Sequence, residues 1–437
     1  MQSGDYFFRS QKPTKRRALV LGRFALLPML LLGGACEGLL DVELPGEVPA
    51  EAINDPLLAP LVVDGAQTDL ECGFSRYVYT SGLWTDELQL GGGERASSTW
   101  ATRLSQSYTE TQGGCTSALQ FSPYLPLQIA RVQSNTAITI LEGLTDAEVA
   151  NRTVLIARAH ALGGYASQLL GEMFCSMAFD VGPEMTRAET FRAAEARFTS
   201  ALETLGTLNT APAREVRNLA YVGRARARLN LGDKVGTAAD ARAVDQNFVF
   251  LATYDNQTAR RRNMIVEKVN QSAIASIGPM YRTRRFTLDG RALPQGDPRL
   301  PITNVGTTMA VGGTIRWTQQ KYPSRTNANM PMATWREAQL MIAEVELGQT
   351  AVNIINALRA THPSLPRFVP ADLSDATILA AVKEERIREL FLQGTRMGDK
   401  LRWNEPWPTG IDYAGRGYGT DTCVPLPTQE INGNPNL

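Results

Sequence analysis

Histidine is scarce in this chain: 437 residues hold only His160 and His362, far apart in the sequence. Nucleophilic catalysis needs a base within hydrogen-bond reach of an activated nucleophile, and no serine or cysteine motif accompanies either histidine. Cysteine is also sparse, with five residues and no C-x-x-C pair. With two histidines at most to assist, that argues against a zinc site, so no metal and no cofactor is expected. There is no excess of positive charge: 44 basic residues face 44 acidic ones. Six of the bases (Arg9, Lys12, Lys15, Arg16, Arg17, Arg23) and one acid (Asp5) fall in residues 1–35, leaving 38 bases against 43 acids, net −5, in the rest. Nucleic acid is therefore an unsuitable partner, because phosphate binding needs a basic face. After Ala35 no apolar run reaches the roughly 20 residues that cross a bilayer.

What is present begins with the leader. Lys12, Lys15, Arg16 and Arg17 precede an apolar run, Ala18 to Ala35, broken only by Arg23 and Pro28. It ends LLLGGAC, small residues running into Cys36. Residues 1–35 read as a secretory signal, with Cys36 as a lipidation site. The acidic, proline-punctuated stretch 36–49 reads as a tether. Four cysteines then remain, Cys72, Cys115, Cys175 and Cys423. An even set in an exported protein predicts two disulfides. Three connectivities are open, and the shared loop-rich stretch inclines the choice towards Cys72–Cys115.

Residues 50–437 are expected to form one domain. Residues 50–69 suit a helix broken by Pro56 and Pro60. Residues 71–123 are rich in Gly, Ser and Thr, include Gly91-Gly92-Gly93, and lack helical periodicity, so long loops with short helical pieces are expected there. From Tyr124 the pattern is helical: residues 124–143, 145–174, 187–205, 214–231 and 234–244, separated by Gly, Pro or Asn stops. Alanines at 220, 225 and 227, the turn LNLGD, and a second alanine-rich helix resemble a tetratricopeptide-type hairpin without its Trp and Pro marks. Residues 246–334 interrupt the helices with FVFLATYD, RFTL and TIRWTQQKYP, read as short strands or extended loops. Trp335, Ala338, Ile342 and Val345 then share one helical face, and Ser374 can cap the next helix.

The C-terminal part carries the most specific pattern. EERIRELFLQGTRMGDKLRW runs from Glu384 to Trp403, and VPLPTQEINGNPNL closes the chain. Glu385, Arg386, Glu389, Leu390, Gly394, Arg396, Asp399, Arg402 and Trp403, followed by Pro425, Pro427, Glu430, Asn434 and Pro435, resemble the C-terminal signature of the SusD/RagB family. So do Asp297-Pro298-Arg299 within QGDPRLPI, QKYPSRT before the 335–346 helix, and Ile129, Arg131, Asn135 and Ile138. The resemblance implies a mostly α fold, SusD-like, of degenerate tetratricopeptide-type hairpins with long loops and a few short strands. Its helical scaffold would span about 124–245 and 335–403, and loop-rich binding regions about 71–123 and 246–334. It also implies a non-catalytic, surface-exposed outer-membrane lipoprotein. Such a protein captures a nutrient, an oligosaccharide in the first place, and delivers it to a SusC-like TonB-dependent transporter. A peptide-binding relative, a tetratricopeptide-type adaptor without a small ligand, and a glycoside hydrolase are the alternatives.

Loops concentrate binding residues, and sugars need aromatic faces and planar polar groups. The expected ligand contacts are Trp84, Asp86, Glu87, Trp100, Arg103 and Tyr108 in the first loop region, with Trp317 and Tyr322 in the second. The bland alternative for each tryptophan is a place in the core. Asp86 and Glu87 are the acids a hydrolase reading would nominate. The run Glu384–Arg388 is read as helix pairing, Glu384 with Arg388 at i,i+4, and not as a site.

Overall fold

The computed structural model describes residues 55–93, 95–104, 114–117, 122–283, 290–293, 295–309, 313–323, 325–412 and 415–437. The expected signal, Cys36, most of the stretch before α1, and Tyr108 lie outside the described residues. So does RFTL.

The first helix, α1 (Ala59–Trp84), overturns the expected loop start at residue 71. Pro60 lies in its first turn, where a missing N–H breaks nothing. Every residue from Asp69 to Trp84 is buried. A helix buried on all sides has no polar face, so periodicity could not reveal it. A strand β1 (Leu88–Leu90) and a short helix α2 (Arg95–Thr102) follow.

The central scaffold is α3 (Tyr124–Glu142), α4 (Arg152–Met173), α5 (Arg187–Leu205), α6 (Ala211–Leu231) and α7 (Lys234–Arg242). Their ends are written in the sequence. Thr186 and Glu189 form a capping box on α5, Thr210 caps α6, and Gly232 ends it in the left-handed conformation. Asp233 caps α7, accepting from the Gly236 N–H at 2.9 Å. Each such cap contributes about 1 kcal/mol. Consecutive helices pack on one another, and α1 lies against α3 and α4. Phe198 of α5 touches the backbone of both neighbours: a Cβ at Gly164 or Gly223 would stand 2.7 or 2.3 Å from its ring. Glycine at both positions lets three helices close around one aromatic ring.

Short antiparallel ladders connect the helical parts. β2 (Ser176–Met177) pairs with β3 (Met185–Thr186), and β1 with β5 (Ala275–Ile277). β4 (Val249–Ala252) pairs with β8 (Met330–Thr334), and β6 (Ile302–Thr308) with β7 (Ile315–Gln319). Between β5 and β6 lies α8 (Pro279–Arg282). The chain ends with α9 (Trp335–Glu346), α10 (Gly348–Ala360), α11 (Asp375–Glu389), α12 (Arg396–Arg402) and α13 (Thr428–Gly433). Ser374 caps α11.

The charged C-terminal motif is scaffold. Arg299 forks onto Asp297 at 2.9 and 2.8 Å and pairs with Glu385. Arg359 also reaches Glu385, and Arg388 reaches Asp297 at 3.0 Å. Arg386 and Arg402 converge on Asp399, each at 2.8 Å. Arg226 of α6 grips Glu172 of α4 and the Gly394 carbonyl. These ions are buried, and mutual pairing with further hydrogen bonds is what makes such burial tolerable. Two disulfides are present. Cys72 of α1 joins Cys115 with a Cα separation of 6.4 Å. Cys175 joins Cys423 with a separation of 5.1 Å.

Candidate functional site

Burial separates the expected contact residues. Trp84 and Trp100 are 1% and 2% exposed and meet edge to face, ring centroids 5.9 Å apart. Ligand contact is corrected to packing for both, because their rings fill the space between α1 and α2. Tyr322 is likewise interior, and its hydroxyl donates to the Leu392 carbonyl at 2.7 Å. Glu87 is also buried, with Oε1 accepting the Leu392 N–H at 2.8 Å. Burial pushes its carboxyl up to about 7. Arg103 is buried as well. Trp317 is half-buried against the core, with the Arg282 guanidinium over its ring. These five buried side chains hold the fold and offer no face to a ligand.

Asp86 has a different position. Its carboxylate receives Arg396 at 2.8 and 2.6 Å and Lys400 at 3.3 Å. Burial alone would raise its pKa, but Arg396, helped by Lys400, outweighs burial and holds it below the ordinary carboxylate value. Asp86 also lines a cleft of about 290 Å³, near the lower end for small-ligand sites. Leu83 comes from the end of α1, Leu88 and Leu90 from β1, Ala101 from α2, and Met280 from α8. Thr85, Gln89 and Pro279 also line it, and the opposite wall is Pro408, Asp412 and Tyr418, from the segment after α12.

That wall is tied down by α2 and by Arg103. The Gly419 N–H donates to the Thr102 carbonyl at 2.7 Å. A Cβ at Gly419 would lie 1.9 Å from the Arg103 carbonyl oxygen, so only glycine permits this approach. Arg103, at a φ of 54°, stacks between the rings of Trp407 and Tyr418 at 5.4 and 5.5 Å. It also donates to the Pro408 and Asp421 carbonyls. Arg416 pairs with Asp412 and reaches Ser98 at 2.6 Å. Tyr418 is thus a half-exposed aromatic held in place, and burial with Asp412 nearby raises its pKa. Sequence reading missed Tyr418 and Trp407. The glycine-flanked GRGYGT and the proline-flanked PWP were the available signals.

Other clefts among the described residues are lined in part by Arg214 and Asp245, by Arg131 and Val181, and by Arg158 and Phe250. The Asp86 cleft joins the first loop region to a positioned aromatic. Its carboxylates suit binding better than acid catalysis. Asp86 is held ionised, and Glu87, whose proton affinity is raised, is not among the lining residues.

No protein-family model matches the sequence, and no curated protein matches it. Solved structures do match. A SusD superfamily protein from Bacteroides vulgatus ATCC 8482 superposes with a TM-score of 0.65 at 13% identity, over 87% of this chain and 98% of that one. A SusD homolog from Bacteroides thetaiotaomicron VPI-5482 gives 0.66 at 14%, over 90% and 98%. A SusD-like carbohydrate binding protein from Bacteroides vulgatus ATCC 8482 gives 0.63 at 14%, over 88% and 97%. The chain is therefore SusD-like: mostly helical, with short strands, in the SusD fold from one end of those structures to the other.

Proposed function

We propose that this protein is a non-catalytic nutrient-binding lipoprotein of the outer membrane. It captures an oligosaccharide in the Asp86–Tyr418 cleft and passes it to a SusC-like TonB-dependent transporter. The observation that carries the reading is the extent of the fold match, which spans 97% of a SusD-like carbohydrate binding protein. The cleft adds support. It sets a half-exposed tyrosine ring and apolar walls beside acceptor groups, the pattern that takes a sugar's C–H face and its hydroxyls. The LLLGGAC leader supplies the expected anchor at Cys36.

Calorimetric titration of the purified protein lacking residues 1–35 against oligosaccharides and peptides tests the reading, with chromatography of the same samples. Oligosaccharide binding without cleavage is expected, weakened more than about tenfold, or 1.4 kcal/mol, by Tyr418→Ala. Cleavage products would make the protein a hydrolase. Binding of peptides alone would assign it to peptide capture.

A further inference from the structure

We infer that the free edge of β4 is a second binding site, one that takes a short extended peptide as an added strand. The inference is independent of the glycan reading of the Asp86–Tyr418 cleft. Among the described residues β4 pairs with β8 and with no other strand. Three bonds fix the phase of its main-chain groups. The Trp335 N–H donates to the Phe248 carbonyl at 2.8 Å. The Tyr254 N–H donates to Asn329, just before β8, at 3.2 Å. The Thr253 N–H donates the other way, to Glu71 of α1, at 3.0 Å. Phe250 and Ala252 therefore turn their main-chain groups to β8, and Val249 and Leu251 turn theirs to the open edge. An edge of this kind is a template for another strand.

Space lies along that edge. A groove of about 460 Å³ is lined by β4 and by the first turns of α4 and α6. Val154, Val216 and Phe250 give it a buried apolar lining. Val249 and Leu251 are 47% and 40% exposed and share one face of the strand. A peptide backbone supplies the row of amides that such an edge pairs with, and its alternate side chains reach apolar surface; a glycan has no such row. Charge narrows the choice further. Arg158 on the groove wall is held by Asp64 at 3.0 Å and by Gln67 at 3.0 Å. Glu215 is exposed on the same wall and has no ion pair among the described residues. The fitting ligand is an extended peptide of about five residues, apolar at alternate positions and bearing a lysine or arginine. Gln67 of this groove lies about 24 Å along α1 from Leu83 of the glycan cleft, and the two sites share no lining residue.

The test is calorimetric titration of the protein lacking residues 1–35 with end-blocked pentapeptides that carry valine at alternate positions and one lysine. One-to-one binding is expected. Two singly N-methylated versions, modified at adjacent amides, should diverge. The methyl group facing β4 costs more than about tenfold in affinity, and its neighbour, facing away, costs less than about threefold. Leu251→Pro removes an outward N–H opposite Pro331, which has no N–H to give the ladder. It should weaken the peptide more than about tenfold at an unchanged melting temperature. Glu215→Lys should shift preference about threefold or more from the lysine peptide to its glutamate counterpart. Equal effects of the two methyl groups overturn strand addition, and they decide the matter alone if Leu251→Pro does not fold. Displacement of the peptide by an oligosaccharide overturns the separate site. A dimer in light scattering that Leu251→Pro dissociates, with no peptide bound, gives the edge to a second copy and overturns the peptide assignment. Failure of every peptide to bind overturns this inference and leaves the glycan reading standing.

Discussion

Trp84 and Tyr418 lie on opposite sides of one boundary, and burial assigns their roles. Trp84→Ala should cost about 3–5 kcal/mol in urea unfolding, through the cavity left between α1 and α2. Little stability loss, with a large loss of glycan affinity, would return Trp84 to the ligand site. Glu87 makes a pH-dependent contribution. Burial raises its carboxyl from 4.5 to about 7, so the folded state holds that proton more tightly than the unfolded chain does. Stability from this group is full below about pH 4.5 and is lost as pH rises towards about 7. Glu87→Gln keeps an acceptor for the Leu392 N–H and removes that loss. The variant should gain on the order of 2–3 kcal/mol relative to the parent between pH 5 and pH 8. Equal differences at both pH values would show that Glu87 titrates normally.

At the scale of elements, the Asp-Pro-Arg turn before β6 and helix α11 behave as one unit. Asp297 serves both Arg299 and Arg388, and its pairing with them holds its pKa well below normal against the pull of burial. Asp297→Ala removes the shared partner of two buried cations, leaving Arg299 with Glu385 and Arg388 with Glu384, and should cost about 3 kcal/mol. Glu384 pairs with Arg388 at the edge, with a 23% exposed side chain, so Glu384→Ala should cost less, about 1 kcal/mol. Chemical denaturation of both variants checks the contrast, and similar costs would contradict it. The Cys175–Cys423 bond links the end of α4 to the C-terminal tail across 248 positions. Replacing both cysteines with serine should cost about 2–5 kcal/mol, read as a lower melting temperature. An unchanged melting temperature would mean that packing alone holds the tail. Helices α5, α6, α7 and α11 were legible because caps and glycine stops punctuate them. The second half of α1, Asp69 to Trp84, was not, because its partners cover every face there and no polar stripe remains.

At the scale of the molecule, the proposed function makes the described body a binding scaffold and Cys36 its expected anchor. Cys36→Ser should shift the protein from the membrane to the soluble fraction in detergent-free fractionation. Several acyl chains anchor stably where one chain would be marginal. Retention of the serine variant in the outer membrane would show that something other than lipid holds it. The architecture also places the cleft-wall residues Pro408, Asp412 and Tyr418 after the signature helices that brace the cleft. Arg396 and Lys400 of α12 grip Asp86, so scaffold and cleft share residues although the cleft is built from loops.

The sequence alone determined the caps, the hairpin turn near Gly232, and the charged C-terminal motif as scaffold. Those features are local: a cap, a glycine stop or an i,i+4 pair acts within a turn of chain. Which aromatics are buried was decided only in three dimensions. Trp84 and Trp100 sit in polar, glycine-rich sequence yet close on each other when α2 folds back onto α1. Tyr418 lies more than three hundred positions from Asp86 in the chain, and Arg103 with Gly419 brings it to the same cleft. Exposure depends on what the rest of the chain covers, and distant residues supply that cover.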